Sequence, residues 1–163
     1  MAKIKAASTV VARFLLSVIF LAGGINKIFH WHESEKILMN VFSDWQAYTD
    51  FSSSMQEFFA SLVPWTPFFL IGATLLELIG GLLLLLGVRE KWGAALLILF
   101  LIPTTILFHQ FWFVEGAARE LQQIMFLKNL AIIGGLIQVV LHGAQTTVKE
   151  NAHGFSSSSL RLP

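Results

Sequence analysis

No cysteine occurs in the sequence, so disulfides, thiolate nucleophiles, cysteine-ligated iron–sulfur clusters and cysteine–zinc sites are all excluded. Charge is scarce as well. Asp, Glu, Lys and Arg make up 13% of the 163 residues, against about 25% in an ordinary soluble domain. Eleven basic residues against ten acidic ones leave a net charge of +1, which offers nothing to a nucleic acid. There is no phosphate loop, no dinucleotide-binding glycine fingerprint and no nucleophile elbow. What is present is apolar: 55% hydrophobic residues and a mean hydropathy of +0.70. Water cannot solvate such a surface. Disorder and a conventional soluble enzyme are excluded, and a small integral membrane protein of one domain remains.

A membrane-spanning helix needs about 20 mostly apolar residues. Four stretches meet this: about 9–29, 67–88, 92–114 and 124–141, the last free to begin earlier, near Glu120. Thr66-Pro67 reads as an N-cap followed by proline at the first helical position. Lys3 and Lys5 ahead of the first apolar run, with Ala22-Gly23-Gly24 after it, give it some signal-peptide character. The apolar pattern continues through Ile25, Ile28 and Phe29, so a retained helix is expected. In the long 30–66 connection, Ile37, Leu38, Val41, Phe42 and Trp45 recur at helical spacing. Met55, Phe58, Phe59 and Leu62 do the same after Ser52-Ser53-Ser54. The expectation is an all-α four-helix transmembrane bundle over 1–144, with short amphipathic helices at the outer interface and a flexible polar cytoplasmic tail over 145–163. Trp31, Trp45, Tyr48, Trp65 and Trp112 would form an aromatic belt. The pairs Gly23-Gly24, Gly80-Gly81 and Gly134-Gly135 suit close helix packing.

The basic residues set an orientation. Lys3, Lys5, Arg13, Arg89, Lys91, Lys149 and Arg161 fall at one side, whereas the 30–66 connection carries one lysine against five acids. Both termini are therefore expected in the cytoplasm, with the long connection outside; in a bacterium this is a multi-pass inner-membrane protein.

Ionisable side chains inside a bilayer are costly and mark candidate sites. Glu77 lies ten residues past Pro67, about 15 Å deep and close to the midplane. Asn26, Lys27, His109, Gln110, Gln122, Lys128 and Asn129 share one level above it, where four helices could converge on an externally open cavity. Several bland alternatives stand beside that reading. Lys27 could snorkel to the interface, Glu77 could form a structural ion pair with Lys128, and His109 could be a satisfied core histidine. Arg13 is expected to set topology. His30-Trp31-His32-Glu33 has poor spacing for a metal on a helix, so no metal site is assigned.

Four segments carry a family resemblance: Arg13 to Lys27, ending Gly23-Gly24-Ile25-Asn26-Lys27; Glu77-Leu78-Ile79-Gly80-Gly81 running on to Gly87; Phe108-His109-Gln110-Phe111-Trp112; and Gln123 to Gly135, with Lys128-Asn129 inside it. In their order and spacing these resemble the DoxX family of small four-helix membrane proteins. The resemblance implies that fold. Some relatives are similar to subunits of thiosulfate:quinone oxidoreductases, others to membrane partners of redox-defence enzymes, and eukaryotic proteins of similar build to chaperones or cargo receptors.

Two functions follow from the resemblance. The first is a subunit of a quinone-linked redox system, with quinone as co-substrate and a redox partner protein or a second copy beside it. In that reading His109 bonds a quinone carbonyl and handles a proton, Glu77 is proton acceptor or counter-ion, and Lys27 and Lys128 attract an anionic sulfur donor. Asn26 and Asn129 orient the ligand, and Gln110, Trp112 and Gln123 complete the site. The second is a non-catalytic scaffold, chaperone or assembly factor that binds a protein through the 30–66 segment. A lipid or metabolite carrier rests on the cavity alone.

Overall fold

A computed structural model describes residues 2–143, and its regular elements are all helical: α1 Ala2–Phe29, α2 Trp31–Tyr48, α3 Ser53–Leu62, a 3-10 turn Val63–Trp65, α4 Thr66–Leu86, α5 Glu90–Phe108 and α6 Gly116–His142. The tail expected from 145 onward, with Lys149, His153 and Arg161, lies outside the described residues. Four helical stretches are long and apolar enough to cross a membrane. The hydrocarbon core offers the backbone no water, and a continuous helix satisfies its own amides there.

Local chemistry explains the boundaries. Helix α4 stops at Gly87, whose φ of 67° is left-handed and whose N–H bonds Leu84 O at 3.2 Å. At its start Thr66 is not the cap expected from the sequence. The hydroxyl instead donates backward to Val63 O at 2.7 Å. Helix α5 ends at Phe108, six residues short of the span drawn to Val114. The indole N–H of Trp45 takes the carbonyl of Leu107 at 2.9 Å, and the chain turns at His109 to fold Phe111, Trp112 and Phe113 into an aromatic cluster with Trp45 and Phe126. Helix α6 begins at Gly116, eight residues ahead of the span drawn from Ile124. Its 27 residues make about 40 Å, so its polar first turns extend past a core of about 30 Å.

The packing order follows the chain. Helix α4 packs along α1 on one side and α5 on the other; α6 packs on α5 and touches α1 only lightly. Helices α4 and α5 cross at glycine. A Cβ on Gly93 would sit 2.9 Å from Gly80 O, so the two backbones are in contact. Gly134 faces open space, so the third glycine pair is not such a crossing.

Two apolar clusters hold the molecule together. Phe20, Leu84, Ala94, Leu97, Phe100, Leu101 and Leu136 fill the middle of the bundle. Leu38, Val41, Phe42, Trp45, Phe59 and Leu70 bind α2 and α3 over one end as a cap. Of the expected aromatic belt, Trp65 and Trp112 are exposed, whereas Trp45 is buried. Trp45 stacks on Phe59 and holds the end of α5, and so pins the cap to the bundle.

Candidate functional site

Glycine on α1 lets a carboxylate approach. Glu77 of α4 is buried, and a Cβ on Gly23 would lie 2.5 Å from its Oε1, so the carboxylate rests against bare α1 backbone. Lys27, one turn along α1 from Gly23, reaches back to Glu77 with Nζ 2.6 Å from Oε2. The ammonium also stands 5.5 Å from the ring centroid of Phe100 on α5. The pair thus joins three helices inside the bundle.

Glu77 therefore pairs with Lys27 and not with Lys128. Side chains on a helix lean toward its N-terminus. On α1 that direction carries Lys27 inward, to the level of Glu77. On α6, which runs the opposite way, it carries Lys128 back toward the cap. Lys128 is exposed, with Nζ 3.2 Å from Met125 Sδ in the preceding turn.

Beneath the cap lies a cavity of about 690 Å³, within the usual range for small-molecule sites. Leu38 and Phe42 of α2, Leu70 and Ala73 of α4, and Phe100 and Leu107 of α5 make much of its apolar wall. Asn26 and Lys27 enter from α1, Ser34 from α2, and Thr104 and His109 from the end of α5. The Thr104 hydroxyl is committed to Phe100 O at 2.8 Å. His109 is the residue at which α5 stops, and its Nδ1 is 2.9 Å from Oε1 of Gln122 on α6. With that amide oxygen accepting, Nδ1 carries the hydrogen, and Nε2 keeps its lone pair in the neutral ring.

The structure thus gathers Asn26, Lys27 and His109 at the cavity, with Glu77 bound to Lys27. Five other residues expected at the site do not line it. Lys128 and Gln123 are exposed on α6, and Asn129 is buried on that helix. Gln110 is buried with Oε1 lacking a hydrogen-bond partner, and Trp112 belongs to the aromatic cluster. Without Lys128, the expected two-lysine site for an anionic sulfur donor does not form.

The second ion pair was not anticipated. Arg13 Nη1 meets Glu90 Oε2 at 2.8 Å, with Glu90 buried at the start of α5. The guanidinium also lies over Gly87, where a Cβ would collide with it. Arg13 and Lys27 are fourteen residues apart, about 21 Å along α1, so the two pairs clamp α1 at separate levels. Glu90 sits between Arg89 and Lys91, so the charge count of that turn concealed it.

The family model for DoxX matches residues 8–110. That stretch contains α1 from Ser8 onward, α2 to α5, the Lys27–Glu77 and Arg13–Glu90 pairs and His109, and excludes α6. The inner membrane protein YqjF of Escherichia coli (strain K12) is 29% identical over 143 residues, which cover 88% of this chain and 89% of that protein. No solved structure matches.

Proposed function

The chain belongs to the DoxX family, and from that premise we propose that it is a quinone-binding inner-membrane protein, serving as the membrane subunit of a redox system. One observation carries the reading: a mostly apolar cavity of about 690 Å³ presents Asn26, Lys27 and His109 together. Such a site suits a flat, weakly polar ring dissolved in lipid. The amide of Asn26 and the ammonium of Lys27 are donors for a quinone carbonyl. Nε2 of His109 is an acceptor for a quinol hydroxyl, so proton exchange belongs to that side of the cavity. Glu77 holds Lys27 in place and balances its charge.

The name of the relative and the four apolar helices support placement in the inner membrane. The lysine and arginine distribution favours cytoplasmic termini, with the α2–α3 cap on the other side. The sequence contains no thiol and no cofactor fingerprint, so we assign the electron donor to a partner protein.

Mass spectrometry of small molecules that copurify in mild detergent tests the reading. Quinone should be retained by the parent protein and lost from a folded His109→Ala variant. Retention by both variants would remove His109 from the site, and absence from both would remove the quinone. The scaffold reading would then take its place, with the exposed aromatic side chains Phe51 and Phe58 of the 30–66 segment as its contact surface.

A further inference from the structure

We propose that the seam between α4 and α5 is a side portal, through which the polyprenyl tail of the bound quinone passes from the cavity into the lipid. The inference rests on the quinone reading and adds the route and the class of ligand: a long-tailed membrane quinone that enters laterally, not a short soluble one.

Size poses the problem. A cavity of about 690 Å³ accommodates a head group and the start of a tail, but not a tail that reaches across half a bilayer. The tail must leave through a gap in the wall. On the α2 side the wall has buried Leu38 and Phe42 beside the exposed Ile37, and on the α1 side the exposed Asn26 and the Lys27–Glu77 pair make the edge polar. The α4–α5 side is both open and apolar, and a second apolar hollow continues from it. Its lining includes Leu99, 60% exposed, and Phe68, 65% exposed, so the cavity there reaches the lipid-facing surface.

The opening also continues downward. A second hollow of about 370 Å³, bounded by Gly72, Leu75, Leu76, Ile79 and Leu96, shares Gly72 and Leu76 with the cavity. It runs along the outside of the same seam and is walled entirely by aliphatic side chains and glycine. Gly72 stands where the two hollows meet, and a Cβ added there would have nothing within 4 Å. Packing therefore does not explain this glycine as it explains Gly80 and Gly93. Across the seam Pro103 lines the cavity and supplies no amide to Leu99 O, which leaves that wall of α5 without one helical hydrogen bond. Gly72 is five residues past Pro67, about 7 to 8 Å along the helix, so the portal opens within the hydrocarbon layer and not at the water interface.

Bilayer and groove are equally apolar, so the tail adds little affinity by burial. Its passage is a steric matter, and the test is steric. Binding of two quinones with the same ring, one with a long polyprenyl tail and one with a single isoprene unit, is measured in nanodiscs for the parent, Gly72→Ala and Gly72→Phe. Unfolding temperatures check that each variant is folded. A Cβ has room at this position, and the phenyl ring carried beyond it should obstruct the portal. The expected result is a loss of about tenfold or more in affinity for the long-tailed quinone in Gly72→Phe, with the short analogue unaffected and Gly72→Ala close to the parent for both. Unchanged long-tail binding in Gly72→Phe would overturn the portal while leaving the quinone site in place. Equal loss of both ligands would also overturn it, because Gly72 would then serve the head-group site. If the parent binds neither quinone, the quinone reading itself fails and the portal fails with it.

Discussion

Lys27 Nζ lies 2.6 Å from Glu77 Oε2, and Gly23, one turn back along α1, provides the bare backbone on which that carboxylate rests. Gly23 and Lys27 on α1 and Glu77 on α4 therefore act as one unit that fixes the cavity side of the α1–α4 packing. The first two predictions concern that unit.

Removing one partner strands a charge in a low-dielectric setting. Glu77→Gln or Lys27→Met alone should destabilise the protein by about 3 kcal/mol, at the lower end for a broken buried pair because Lys27 keeps some exposure to the cavity. The double variant Lys27→Met with Glu77→Leu should recover most of the loss. Thermal unfolding in detergent measures all three, and a double variant as unstable as the sum of the singles would contradict the pairing.

Gly23→Ala places a methyl group where Glu77 Oε1 now sits. Overpacking at such a contact costs about 1–3 kcal/mol. Gly134→Ala, made in open space, should be neutral or gain up to about 1 kcal/mol from helix propensity. Comparing the two unfolding midpoints separates a glycine that admits a neighbour from one that does not.

Trp45→Phe keeps an aromatic ring but loses the hydrogen bond to Leu107 O. A loss of about 1 kcal/mol is expected, together with faster amide exchange in the cap and the last turn of α5. Trp65→Phe, at an exposed position, should change neither.

Lys128→Gln should leave both stability and quinone binding as they are, since the side chain lies outside the cavity and contacts Met125. A fall in quinone binding beyond about threefold, roughly 0.7 kcal/mol, would return Lys128 to the site.

Much of the fold could be read from the sequence because the bilayer restricts what a long apolar run can become. The cap helices were equally legible, from Leu38, Val41 and Phe42 on one face. The end of α5 was not. The run from His109 to Val114 is aromatic enough to extend a span, and the turn there depends on Trp45, 62 residues earlier in the chain, reaching Leu107 O. The site was half legible. Depth alone brought out Asn26, Lys27, Glu77 and His109, but it placed Lys128 with them. Depth counts Cα positions, whereas contact depends on which way the side chain leans, and α1 and α6 lean in opposite directions. Glu90 was not singled out at all: Arg89 and Lys91 on either side drew that turn into the orientation count, whereas Glu90 is buried against Arg13.

Photolabelling tests the central claim most directly. A quinone with a photoreactive group on its ring is bound to the folded protein and activated by light, and the labelled peptides are identified by mass spectrometry. The account predicts labels on α1 around Asn26 and Lys27 and on the stretch from Pro103 to His109, suppressed by excess unlabelled quinone. Labels confined to the exposed face of α6 around Lys128, or labelling that unlabelled quinone does not suppress, would contradict it.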